Sequence, residues 1–122
     1  MDVSVVLSTD EIVKGLKHYR KIAKQDILRA GETLDPERFK LHAETRRDIY
    51  AQLSDLAEKN GPTDAVKQAL DEYKSLPFVT GTPENEYIDV KAKENALENF
   101  FLMIGLEPKI RREVRSQRPS MN

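Results

Sequence analysis

The sequence predicts an all-α protein, a small helical bundle of about five helices in a single domain, with its core completed by oligomerisation. Three observations predict this. Apolar residues recur at steps of three and four through most of the chain, which puts them on one side of a helix. Most such stretches are bracketed by helix punctuation: a serine, threonine, aspartate or proline at the start and a glycine or proline at the end. No apolar–polar alternation runs long enough for a strand, and the chain has neither an internal repeat nor a low-complexity segment. Its 122 residues make one domain by length.

The first helix, within residues 8–30, starts at Ser8-Thr-Asp-Glu11. This is a capping box: the serine oxygen accepts the amide three residues on, and the glutamate reaches back. Ile12, Leu16, Tyr19, Ala23, Ile27 and Ala30 form its apolar face, and Gly31 is expected to supply a left-handed stop. The central helices occupy 35–76. Asp35-Pro36 is a cap followed by a proline where the missing N–H costs nothing. Phe39, His42, Arg46, Ile49, Leu53 and Leu56 repeat at helical spacing, with Ala43, Tyr50 and Ala57 widening the stripe. Asn60-Gly61-Pro62 ends this helix, and Thr63 is expected to cap a shorter one, with Val66, Ala69, Leu70 and Tyr73 on its face and Pro77 at its end.

Residues 77–87 read as a loop, dense in turn residues. A fourth helix spans 88–105, with Val90, Leu97, Phe100, Phe101 and Ile104 as its apolar side and Gly105 as its stop. Pro108 opens a last, basic helix or tail over 108–122, with Ile110 and Val114 one turn apart. So little apolar surface makes this helix marginal on its own.

Composition excludes several kinds of chemistry. There is no cysteine, hence no disulfide, thiolate metal site or cysteine nucleophile. That suits a reducing cytoplasm. The start lacks the basic lead of a signal peptide. The apolar run Phe100-Phe-Leu-Met-Ile104 is far too short to cross a membrane, so no membrane partner is expected. No HExxH, GxSxG or phosphate-cradling glycine loop occurs. The two histidines, His18 and His42, have no carboxylate cluster at metal spacing. His42 lies in the apolar register of its helix, as a half-buried structural histidine would. No enzyme activity, metal or cofactor is expected.

The net charge of −1 conceals a pattern in which both ends are basic and the middle is acidic. Lys14, Lys17, Lys21 and Lys24 recur on the first helix at steps of three and four. They fall within about 80° on a wheel of about 100° per residue, nearly opposite the apolar stripe. Arg20 flanks them, and no acid intervenes between residues 12 and 25. A single-sign stripe of this kind suits the phosphate backbone of a nucleic acid, where clustered cations gain from counterion release. It equally suits a solvated face of a packed helix. At the other end Lys109, Arg111, Arg112, Arg115 and Arg118 crowd together. Their forks fit phosphates, and also carboxylates across an interface.

Two stretches carry a family resemblance: "LDPERFKLHAETRRDIYAQLSDLAEKNG" (34–61) and "AKENALENFFLMIGLEPKIRREV" (92–114). In both order and punctuation they resemble a family of phage terminase small subunits. In that family a leucine and cap residue open a long central helix, and a later helix runs into a Gly-Leu-Thr-Pro-x-x-Arg segment. Here the segment is Gly105-Leu106-Glu107-Pro108-Lys109-Ile110-Arg111. Glu107 replaces the usual threonine, Arg38 stands where an aspartate is common, and the usual asparagine-proline before the last long helix is absent. The resemblance implies an oligomeric, non-catalytic protein that recognises viral DNA and passes it to the large terminase subunit, which carries the ATPase and nuclease. DNA contact is then expected first at Lys14, Lys17, Arg20, Lys21 and Lys24, and second at Lys109, Arg111, Arg112 and Arg115. The amphipathic helices and acidic middle leave open a different role, a non-enzymatic adaptor or regulator that binds another protein.

Overall fold

In the computed structural model, which describes residues 7–77 and 88–119, the chain forms five α-helices: α1 (Thr9–Arg29), α2 (Pro36–Asn60), α3 (Pro62–Ser75), α4 (Ile88–Ile104) and α5 (Pro108–Ser116). The described residues contain no strand. The loop expected over 77–87 lies, apart from Pro77, outside the described residues.

Local chemistry accounts for most helix ends. Ser8 and Glu11 close the capping box in both directions, at 3.2 and 3.1 Å. Asp35 caps α2 by accepting the Arg38 amide, 3.4 Å away. Gly61 serves two helices. With φ 95° and ψ 170° it ends α2, donating to the Ala57 carbonyl at 2.9 Å, and it is also the N-cap of α3. The cap expected at Thr63 is therefore displaced: Pro62 already fills the first helical position, so Thr63 lies inside α3. The left-handed stop expected at Gly31 is not used either. The chain instead tightens into a 3₁₀ turn over Ala30–Glu32, where the Thr33 hydroxyl and amide both donate to the Ala30 carbonyl. The Ala30 amide donates to the Ile27 carbonyl of α1, and the tightened turn reverses the chain without positive φ.

The long helix α2 is the spine, packing against α1, α3 and α4. Two cross-links show that α1 runs antiparallel to it: Lys17 meets Glu58 at 3.6 Å and Asp26 meets Arg46 at 2.9 Å. The helices α1 and α4 meet at Gly15, where an added Cβ would collide with the Met103 sulfur. The core joins Ile12 and Leu16 of α1, Tyr50 and Leu53 of α2, Val66 and Tyr73 of α3, and Leu97, Phe100 and Phe101 of α4. Burying each such side chain is worth about 1.5–3 kcal/mol. On α2 the deepest residues are Ala43, Tyr50, Leu53 and Ala57, while Phe39 and His42 sit only half-buried at one end.

The basic last helix does not stand free. It packs on α3 and buries Val114. Just beyond it Arg118 is enclosed, with its side chain 1% exposed. Its Nε donates to the Leu76 carbonyl at 2.9 Å and one Nη to the Pro77 carbonyl at 3.0 Å, while the other Nη meets Glu94 at 2.7 Å. The guanidinium also lies over the Tyr73 ring, 5.2 Å from its centre. This single cation meets the carbonyls that directly follow α3, near the negative end of the helix dipole, and ties them to Glu94 of α4.

Candidate nucleic-acid interface

Burial of Ile12, Leu16 and Ala23 against α2 and α4 forces the opposite side of α1 outward. Lys14, Lys17, Lys21 and Lys24 are all exposed as a result, and Arg20, at the edge of the buried face, is half-buried. Lys17, Arg20, Lys21 and Lys24 together line one shallow groove of about 230 Å³ that has no other lining residue. Lys14 lies outside that groove.

Their partners differ. Lys17 leans toward Glu58 of α2, an acid that its own helix pattern did not reveal. Both side chains are at least half exposed, so this pair is worth at most about 1 kcal/mol and yields easily to a better anion. The Arg20 Nε is shielded from solvent and has no hydrogen-bond partner among the described residues.

The second basic group is placed differently. Lys109, Arg112 and Arg115 are exposed, while Arg111 is half-buried. They project from α5, which rests on α3, whereas α1 rests on α2 and α4. The Gly105–Pro108 segment that carries the resemblance has a complete local explanation. Gly105 adopts φ 71°, its amide donates to Leu102 at 3.2 Å, and the Leu106 amide reaches back to Phe101 at 3.0 Å. That pair of bonds is a Schellman stop, and Pro108 then takes the first position of α5.

Two further features were not visible in the one-dimensional pattern. One is a polar network between α1 and α2. Arg46 donates from Nη2 to Asp26 and from Nε to the Nδ1 of His42, both at 2.9 Å. Because Nδ1 accepts, the neutral ring carries its proton on Nε2. Burial, and then the Arg46 charge, hold the His42 pKa below its ordinary value of 6.5, against a smaller opposing pull from Asp26. The other is an open groove of about 450 Å³ where the α1–α2 turn meets the start of α4, lined by Thr33, Leu34, Asp35, Arg38, Phe39, His42 and Ile88. Leu34 stands fully exposed on its edge, and Leu28 is 86% exposed on the last turn of α1. Spacing had offered no signal for either, since Leu28 falls within the lysine face and Leu34 lies in a turn.

Among the described residues no three His, Cys, Asp or Glu side chains converge as a metal site requires. No helix among them is long and apolar enough to cross a membrane. Comparison with protein-family models, with curated proteins and with solved structures gives no match to this chain, so the functional reading rests on the chain's own residues and their geometry.

Proposed function

We propose that the protein is a non-catalytic, DNA-binding small subunit of a viral DNA-packaging terminase, which acts as a homo-oligomer in the bacterial cytoplasm and delivers DNA to the large ATPase/nuclease subunit. The observation that carries this reading is the cation-only groove of α1, exposed along one side of the bundle. Cations gathered without intervening acids release counterions when they meet a phosphate backbone. Several copies of such a face on one assembly multiply a weak contact through avidity. The resemblance over 34–61 and 92–114 supports the packaging role. Its Gly105–Pro108 portion is accounted for by helix punctuation, so the greater weight falls on α1.

The test is binding to duplex DNA over a salt series, with the solution mass measured alongside. The expected result is an affinity that falls steeply with salt, from a protein larger than a monomer. Changing Lys17→Glu and Lys21→Glu together should weaken binding to all sequences alike and flatten the salt dependence by about one unit of slope per lost contact. Salt-independent or absent binding by a monomer would overturn the reading.

One observation favours the alternative, a helical adaptor that binds another protein. The apolar groove beside Leu34, together with exposed Leu28, is a surface that a partner helix or a second copy can cover. Changing Leu28→Ser and Leu34→Ser distinguishes the two uses. Loss of the oligomer with DNA contact retained per chain fits the packaging reading. Loss of a bound host protein, with no effect on DNA, fits the adaptor.

A further inference from the structure

The groove on α1 has more definition than a diffuse basic face. Its lining consists of Lys17, Arg20, Lys21 and Lys24 and nothing else. Lys21 and Lys24 meet no acid among the described residues, and Lys17 has only the exposed contact to Glu58. Arg20 differs from the three lysines. It lies at the boundary between the buried and exposed sides of α1, with its Nε enclosed and without an acceptor. A charged N–H in that condition has lost water and gained nothing in exchange. Turning this half-buried side chain toward an oxyanion in the groove gives that N–H an acceptor, so binding can relieve a cost that the free protein carries.

The chemistry of the ligand follows from the lining. One carboxylate brings a single negative charge against four cations, one of them already leaning on Glu58. A backbone phosphodiester brings one charge and two free oxygens but repeats them along the strand, while a terminal phosphate or pyrophosphate brings three free oxygens on one phosphorus and more charge. An arginine fork matches two phosphate oxygens at once, while lysines act as point charges around them. Lys17 and Lys24 are seven residues apart, or about 10.5 Å along the helix, so flanking phosphates of a strand remain within their reach.

We propose that this groove is a discrete phosphate seat, with Arg20 as the fork and Lys17, Lys21 and Lys24 as the surrounding charges. The seat rests on the DNA-binding reading for its biological ligand, the duplex backbone, but its geometry requires only a phosphoryl group.

The experiment titrates the full-length ¹⁵N-labelled protein with inorganic pyrophosphate and separately with a short duplex. It follows the backbone amides of α1 and the arginine Nε–H signals. The same titrations are run on Arg20→Lys, Arg20→Gln and Lys14→Gln, with folding of each checked by circular dichroism. Pyrophosphate is expected to shift the Arg20 Nε–H and the amides of residues 17–24 ahead of the rest of the chain. Arg20→Lys, which keeps the charge and loses the fork, should weaken both ligands by about tenfold, and Lys14→Gln by about twofold or less. Equal affinities for Arg20→Lys and the parent protein would overturn the seat and leave DNA binding standing as a diffuse charge effect. Pyrophosphate shifts centred on Arg20 without any DNA binding would support the seat and remove the DNA reading. No response of α1 to pyrophosphate would overturn the seat whatever the duplex does.

Discussion

Arg118 and His42 show how far a residue's role depends on what it touches. By sequence Arg118 is one more cation in a basic tail. Folded, it is enclosed among the Leu76 and Pro77 carbonyls just past α3, Glu94 and the Tyr73 ring. Arg118→Ala leaves those carbonyls and Glu94 without their donor and should cost about 2–3 kcal/mol in urea unfolding. Arg118→Lys should recover only part of this, because one ammonium cannot serve partners in three directions. His42 carries a pH dependence. Its pKa is lowered in the folded protein, so the unfolded chain takes up the proton first. Stability from this group is complete above pH 6.5 and is lost as pH falls from 6.5 through the folded value. His42→Gln should flatten that part of the stability–pH curve measured by thermal melting. Protonation would also set a ring N–H against the Arg46 Nε, loosening the link to Asp26 that ties α1 to α2.

At the scale of the element, the glycines separate positions that need positive φ from those that do not. An added Cβ meets nothing within 4 Å at Gly31, Gly61 or Gly105, so space is not the issue at any of them. Gly61, at φ 95° and ψ 170°, lies in a region that essentially only glycine occupies, so Gly61→Ala should cost about 1–3 kcal/mol. Gly105, at φ 71°, is left-handed, and Gly105→Ala should cost about 1 kcal/mol. Gly31 has no positive φ. Gly31→Ala should therefore be neutral or stabilising by about 0.4–1 kcal/mol, through reduced freedom of the unfolded chain. Chemical denaturation of the three variants checks the order. A loss at Gly31 equal to that at Gly61 would contradict the observed 3₁₀ ending of α1.

For the whole molecule, the decisive contacts are those between elements distant in sequence. The approach of α1 to α4 depends on Gly15, whose missing side chain is replaced by Met103. A bulky residue there must first displace the flexible Met103 side chain, so Gly15→Leu should destabilise the bundle by about 1 kcal/mol, at the low end for overpacking. Lys17→Glu with Lys21→Glu should behave in the opposite manner. Both positions are exposed, so the urea midpoint should move little while DNA affinity falls. That separation of stability from binding tests whether the face of α1 serves a partner rather than the fold.

The local pattern alone determined the all-α class and the number and approximate limits of the helices. Apolar period and cap residues act within a few positions, as Ser8–Glu11, Asp35–Pro36 and Gly105–Pro108 illustrate. The same period placed the lysines of α1 on one outward face, since a helix that buries Ile12 and Leu16 must expose Lys14, Lys17, Lys21 and Lys24. Failures of detail came where two local signals competed: Gly61 displaced Thr63 as the cap of α3, and a 3₁₀ turn displaced the glycine stop of α1. Only the tertiary structure decided which charges are free and which are bound. Glu58, Asp26 and Glu94 lie far along the chain from Lys17, Arg46 and Arg118, and no short-range spacing encodes those meetings. For the same reason the orphaned Nε of Arg20 and the groove at Leu34 became visible only once the helices were packed. Periodicity says which side of a helix is turned inward, while packing determines which atoms on the remaining side still lack a partner.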